Sequence, residues 1–507
     1  MDSRINNSIK NGTAAMACQL VSIILSFICR SVFIYILGNE FLGVNGLFSN
    51  VLSVLSLSEM GIGTAIVFNM YKAVAQNDEE KINCLMSFYA KVYKIIGLVI
   101  LIVGVLCSFF IEYLIKDNIF EVRFLRMAFL LQVINNAVSY FWSYRSCILF
   151  AYQKDWICKL TSMIVLIVGN VIQIIGLLVI GNYMVYLVIQ ILITIMNNFT
   201  QYVIAKKMYP KVEISYKNRL PKEVLQDIVL RVKALIIHSV SSALNFGTDN
   251  IIISKFVGII ETGLYSNYSL LINTLNGLIS QVLNGITASM GNLIATNDSN
   301  MVYSVFKKIN FVCQWIYGFT AVGLLCCMNQ FVELWIGKDN TLAFRVVLIL
   351  VTNYYVLGVR QAIMITRNAG GFYVNDRKVA MIKPIINLVF SLALVQKMGI
   401  IGVFVGTFIS QIVADIILFP YFLYQYFFEI NVRKYYINYA LSLSVNALIG
   451  IGCMIASSAL GVEGWLGLIM KGILCTFVYN LAMCIIYYKS EEFGYLKNLI
   501  VNKIIKR

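Results

Sequence analysis

Residues Ala14–Leu37 read AAMACQLVSIILSFICRSVFIYIL, twenty-four positions with a single charge, Arg30. A helix needs about 20 mostly apolar residues to cross the hydrocarbon core of a bilayer, so this segment is long enough to span. Arg4 and Lys10 precede it as in a secretory signal, but the run is too long and holds no small-residue cleavage site, so it is expected to remain as a membrane helix. Thirteen further apolar runs follow, at about 44–69, 93–115, 125–149, 157–180, 183–205, 234–257, 264–294, 309–329, 342–366, 380–397, 399–424, 437–460 and 464–487. They are continuous, whereas barrel strands alternate apolar and polar over roughly ten residues. The expectation is an all-α integral membrane protein of about 14 spans, with both termini on one side.

Composition agrees. Of 507 residues 60% are apolar and 13% charged, against about 45–50% and about 25% in soluble domains. The net charge of +16 invites a nucleic-acid reading, but its placement excludes one. With the N-terminus in the cytoplasm, thirty basic residues fall on inner segments and helix ends, seven on outer ones, and Arg30, Arg360 and Lys471 within spans. That bias sets N-in, C-in. The acids within spans are Glu59, Asp249 and Asp415, so the spans sum to zero. The twelve cysteines form no C-x-x-C pair and lie mostly inside apolar runs, so neither a disulfide framework nor a metal site is expected.

The longest inner segment divides the chain. An N-terminal six-helix bundle occupies 1–205, a basic cytoplasmic linker 206–233, a C-terminal six-helix bundle 234–424, two extra helices 425–488, and a basic tail 489–507. The linker and tail read as positive-inside anchors, the tail also as a helix lying on anionic lipid. The halves echo each other: Gly38 and Gly43 recur as Gly258 and Gly263, and Ser49 as Ser269, at an offset of 220. Equal orientation of the two copies implies parallel repeats about an axis along the membrane normal.

Polar side chains are costly in hydrocarbon, so a line of them at helical spacing faces either water or another helix. Gln19, Ser22, Ser26 and Arg30 form one such line, and Asn45, Ser49, Ser53, Ser56, Glu59 and Gly63 a second. His238, Ser242, Asn245 and Asp249, then Asn273, Asn276, Ser280, Asn284 and Thr287, repeat the pattern in the other half. A polar cleft lined by spans 1, 2, 7 and 8 follows, with hydrogen bonding between neighbouring helices as the plainer reading of any one serine. Arg30 lies too deep for easy snorkelling. It can serve as an anion site or pair with Glu59, while Glu59 and Asp249 can be its counter-ions or carriers of a coupling proton or cation. Arg360 shares a helix face with Asn353 and Arg367 and can meet a phosphate from the inner leaflet or snorkel to the interface. His238 reads first as a satisfied buried residue, and Lys255, Asp415 and Lys471 as interfacial ones. No catalytic constellation and no Gly-rich nucleotide loop appear, and the short outer loops argue for moving a substrate over modifying it.

The stretch from Arg30-Ser31-Val32-Phe33 through Leu37-Gly38-Asn39-Glu40-Phe41-Leu42-Gly43-Val44-Asn45-Gly46-Leu47-Phe48, with Leu55-Ser56-Leu57-Ser58-Glu59-Met60-Gly61-Ile62-Gly63, resembles the first helix pair of bacterial Wzx-type polysaccharide flippases. Gly247-Thr248-Asp249-Asn250-Ile251-Ile252-Ile253-Ser254 and Gly263-Leu264-Tyr265-Ser266-Asn267-Tyr268 are similar to the start of that family's second half. The resemblance implies the multidrug/oligosaccharidyl-lipid/polysaccharide exporter fold, a MATE-like V of two six-helix bundles in the bacterial cytoplasmic membrane. It implies alternating access that turns an undecaprenyl-diphosphate-linked oligosaccharide from the inner to the outer leaflet for capsule, O-antigen or exopolysaccharide synthesis. Partners would be membrane lipid, glycosyltransferases and a polysaccharide polymerase, with no cofactor. Such a substrate needs a cation for its diphosphate, amides and hydroxyls for sugar, and a greasy opening for its tail. Arg30, Asn45, Ser49, Glu59, Asn245, Asp249, Asn273, Asn276 and Arg360 are the candidate lining residues. Two alternatives share the fold. A multidrug exporter tends to have a proline-bent first helix, which this chain lacks, and a peptidoglycan-precursor flippase would carry several arginines in its first two spans, where only Arg30 stands.

Overall fold

A computed structural model describes residues 2–505 except 57–61, 117–118, 216–217, 219, 227, 230–231, 233–246, 297 and 372–375. Among the described residues there is no strand, and ten helices are long and apolar enough to cross a membrane. The chain is an all-α, multi-pass membrane protein. It divides into two compact units, Met1–Gly263 and Leu264–Arg507.

In the first unit the helices are α1 (Asp2–Leu37), α2 (Asn39–Leu55), α3 (Ile62–Ala75), α4 (Glu79–Ser108), α5 (Val122–Ser143), α6 (Cys147–Ala151), α7 (Asp155–Ile180) and α8 (Tyr183–Met208). The short connection between α7 and α8 is set by two residues. Gly181 takes a left-handed conformation (φ 61°) that ends α7, and the Asn182 side chain then accepts the Met184 N–H (2.8 Å) to start α8. Helix α7 shows which solvent the fold is built for. Its buried face holds Thr161, Gly169 and Gln173 together with Cys158, Val165 and Leu177, while Ile164, Val168, Val171, Ile175 and Leu178 are exposed. Polar and small residues turned inward and an aliphatic outer face suit hydrocarbon surroundings, where packing and hydrogen bonds join the helices. Glycines permit the close approaches: Gly104 of α4 lies against Val133 of α5, and Gly169 of α7 against Ile193 of α8.

The glycine echo is a physical contact. A Cβ added at Gly43 would overlap the carbonyl of Ile259, and one added at Gly263 would overlap the carbonyl of Asn39. Residues 39 and 43 therefore meet 259 and 263 reciprocally. The preceding glycines differ. Gly38 has φ 88°, which favours glycine, whereas Gly258 at φ 162° is extended.

In the second unit the long helix Ser299–Ile336 packs on Phe344–Val359 and on the pair Arg433–Ser458 and Gly464–Tyr487. Helices Arg377–Met398 and Ile400–Gln411 form a tight antiparallel pair, turned at Gly399 (φ 57°) and closed by Gly402 against the Leu394 carbonyl and Gly406 against Ser391. The second member continues through wide π-type turns at Ile412–Leu418 and Tyr424–Phe428 that flank Pro420. Proline has no N–H to bond the preceding turn, so the helical ladder loosens there. The tail forms a helix, Glu491–Ile505, held by Phe493 stacked on Trp315 at 5.9 Å and by Lys308 over Tyr495 at 4.2 Å.

Candidate functional site

In the first unit Arg30 sits half-buried on α1 near the Tyr186 hydroxyl of α8. Aromatic rings wall this region: Phe33 meets Tyr186 at 5.1 Å and Tyr183 at 6.1 Å, and Phe41 meets Tyr183 at 5.3 Å. Behind them Gln132 Nε2 donates to Asn45 Oδ1 (2.8 Å) and to the Tyr183 hydroxyl (3.1 Å), which itself donates to Asn45 (3.3 Å). Asn45 is thus bound into a three-residue knot joining α2, α5 and α8. Ser56, lower on the same stripe, shares hydrogen bonds with Asn136 of α5 (3.1 and 3.3 Å). Ser49, between them, is exposed.

Asp249 is buried. Its segment packs on α2 through Gly247, which lies against Asn50, Ser53 and Val54. Further along, Ser254 Oγ donates to the Leu114 carbonyl (2.8 Å) and the Lys116 N–H donates to the Ser254 carbonyl (3.1 Å). Spans 1, 2 and the described end of span 7 therefore meet in one unit. Glu59, His238, Ser242 and Asn245 lie outside the described residues.

In the second unit Asn273 is exposed and donates to Ser269 Oγ one turn back (3.1 Å), and Asn276 accepts from the buried Tyr317 hydroxyl (3.0 Å). Arg360 is held elsewhere. Its Nη1 donates to Asp415 Oδ1 (2.7 Å), while Lys383 Nζ donates to Asp415 Oδ2 (2.5 Å). The three side chains are 18%, 0% and 8% exposed in the order Arg360, Asp415, Lys383. Arg367 pairs with Asp376 (Nη2 to Oδ1, 2.7 Å). The Phe419 ring lies between the arginines, 5.8 Å from Arg360 and 5.7 Å from Arg367. Asn353 uses its amide on the Phe404 carbonyl (3.0 Å). Three cations thus share two carboxylates inside this unit. Read from sequence, Lys383 counts as a helix-end lysine and Asp415 as interfacial. The only sequence signal of their pairing is that each precedes a proline on its helix, Lys383 directly before Pro384 and Asp415 five residues before Pro420.

Among solved structures the chain is similar to an inward-facing multidrug resistance MATE family transporter of the MOP superfamily, with TM-score 0.66 and 14% identity over 82% of this chain and 98% of that one. It is likewise similar to the lipid II flippase MurJ in an inward closed conformation, at TM-score 0.61 and 14% identity over 96% of this chain and 99% of that one. The chain shares the fold of these transporters. A third similarity, to a MOP superfamily transporter from Pyrococcus furiosus, has TM-score 0.57 and 14% identity over 83% and 95%. No family model and no curated protein matches the sequence.

Proposed function

We propose that this protein is a flippase for a lipid-linked oligosaccharide, moving an undecaprenyl-diphosphate-bound glycan from the cytoplasmic to the outer leaflet by alternating access. The observation that carries the reading is the setting of Arg30: a guanidinium deep in a span, beside the Tyr186 hydroxyl and an aromatic wall, with an amide knot behind. A guanidinium binds phosphate oxygens bidentately, aromatic faces and hydroxyls suit sugar, and the aliphatic outer faces of the helices suit a polyprenyl tail. The resemblance of Arg30–Gly63 and Gly247–Tyr268 to Wzx-type proteins supports the same cargo. Asp249 is the candidate for a coupling cation or proton, together with Glu59.

A second reading is favoured by one fact. The match to the lipid II flippase extends over nearly the whole chain, whereas the multidrug transporters cover about five-sixths of it. That supports a peptidoglycan-precursor cargo over a drug. The test is complementation in a strain lacking its own copy. Surface polysaccharide is expected to return with the wild type, to fall at least about tenfold with Arg30→Ala, the rate equivalent of losing one charge-assisted contact of about 1.5–3 kcal/mol, and to recover only in part with Arg30→Lys. Full activity of Arg30→Ala at normal expression refutes the site. Rescue of lipid II flippase depletion without any effect on surface polysaccharide refutes the cargo.

A further inference from the structure

At the end of the first unit that the charge bias assigns to the cytoplasm, a cavity of about 480 Å³ opens between α4, the bend at Tyr144–Ser146, the end of α8 and the start of the linker. The linker forms one wall because its backbone is pinned to α4. The Glu213 N–H donates to Asn83 Oδ1 and the Ser215 N–H to Ser87 Oγ, both at 3.1 Å. Arg145 forms the floor. It is only 6% exposed, its Nη2 donates to the Val212 carbonyl (3.0 Å), and its guanidinium lies 5.1 Å from the Tyr202 ring. Among the described residues it has no carboxylate partner, although a buried cation without one is costly. Lys91, Lys94 and Lys206 line the cavity and are exposed, and Glu213 is the single acid among the lining residues. Four cations against one carboxylate leave a charge of about +3 around a polar hollow.

The surroundings narrow the ligand. On α4, Ile95, Leu98 and Ile102 follow Lys91 at four, seven and eleven residues, so they share its face, and all three are about half exposed. The apolar stripe therefore starts where the lysines end. This is the pattern of an anionic head group bound at the interface with its chain lying along a helix.

We propose that this cavity is a binding site for the phosphate of a lipid in the cytoplasmic leaflet, with Arg145 gripping the phosphate oxygens in its fork and Lys91, Lys94 and Lys206 supplying the surrounding field. The phosphate can belong to a bulk anionic phospholipid or to a polyprenyl diphosphate. The assignment is independent of the cargo proposed above, because the cavity lies in residues apart from the Arg30 site.

The full-length protein, purified into neutral detergent, is exchanged against phosphatidylcholine, phosphatidylglycerol or undecaprenyl diphosphate, and retained lipid is counted by native mass spectrometry. Inorganic diphosphate alone is the soluble control. Phosphate-bearing lipid is expected to be retained over phosphatidylcholine by at least about tenfold, and Lys91→Gln, Lys94→Gln and Lys206→Gln together are expected to abolish that preference, since each basic residue near such a head group contributes about 1 kcal/mol, or about fivefold. These three lysines are exposed, so the triple variant tests the site even if Arg145→Gln fails to fold. A preference for phosphatidylglycerol identifies bulk lipid, and one for undecaprenyl diphosphate identifies a lipid carrier; either supports the site. Equal retention of all three lipids, binding of diphosphate without lipid preference, or an unchanged preference in the triple variant overturns it.

Discussion

Replacing Asp415 with Asn should destabilise this protein more than any other single change to its buried charges. Asp415 is fully enclosed and bonds both Arg360 and Lys383. The amide keeps the shape but removes the negative charge, leaving two cations close together in a low-dielectric interior. Breaking a buried ion pair by removing one partner costs about 3–5 kcal/mol, most of it from the charge left behind. Here two charges are left, so the loss should lie toward the upper end. Lys383→Met makes the opposite case. Arg360 still neutralises Asp415, so no net charge is stranded, but Asp415 Oδ2 loses its donor, and the cost should stay at about 1–3 kcal/mol. The double variant should be more stable than Asp415→Asn alone by about 2 kcal/mol, because one of the two stranded cations is gone. Unfolding by sodium dodecyl sulfate from mixed micelles, followed by tryptophan fluorescence, measures all three. An Asp415→Asn protein within about 1 kcal/mol of wild type, or a Lys383→Met protein less stable than Asp415→Asn, refutes the reasoning.

Two further substitutions probe packing. Gly43→Ala and Gly263→Ala should each cost about 1–3 kcal/mol by overpacking, and together less than the sum, because both force apart one crossing. Gly285→Ala, with open space around it, is the control and should stay within about 0.5 kcal/mol of wild type; equal effects at Gly43 and Gly285 in the same unfolding assay would dismiss the crossing. Gln132→Leu should cost about 1–3 kcal/mol by leaving Asn45 and the Tyr183 hydroxyl short of a partner, and Asn45→Leu with it should restore part of that loss. Additive effects in that double-mutant cycle would show that the knot does not act as a unit.

The parts of the fold that depend on one helix at a time were legible in the sequence. Apolar length marked membrane-spanning helices, ten of them long enough among the described residues, and Gly181-Asn182 and Gly399 make tight turns because each supplies a backbone conformation or cap that few other residues do. The site was legible only in part, since a polar stripe has the same period whether it faces water or a neighbouring helix. Asn45 and Ser49 are four residues apart on one face of α2, yet Asn45 is tied to Gln132 and Tyr183 while Ser49 is exposed. Nothing in their spacing separates them. The two echoed glycine pairs have identical spacing too, but Gly38 turns left-handed and Gly258 stays extended. Lys383 was hidden for another reason. Counting basic residues by side treats a lysine near a span end as interfacial, and only the packing of Asp415 against it shows that it is buried.

The same packing separates two arginines that sequence treats alike. Arg30 and Arg360 are both single guanidiniums within apolar runs, and either could meet a phosphate. Arg360 is joined to Asp415 at 2.7 Å, a carboxylate that Lys383 also holds, so an incoming phosphate would compete with a buried carboxylate already in place. Such an exchange costs several kcal/mol before any phosphate contact forms. Arg30 is half-buried on α1 near the Tyr186 hydroxyl. The zero net charge counted within the spans therefore conceals an uneven distribution: Lys383 raises the buried total in the second unit, where the charges hold one another, while in the first unit Arg30 is the one basic residue counted within a span.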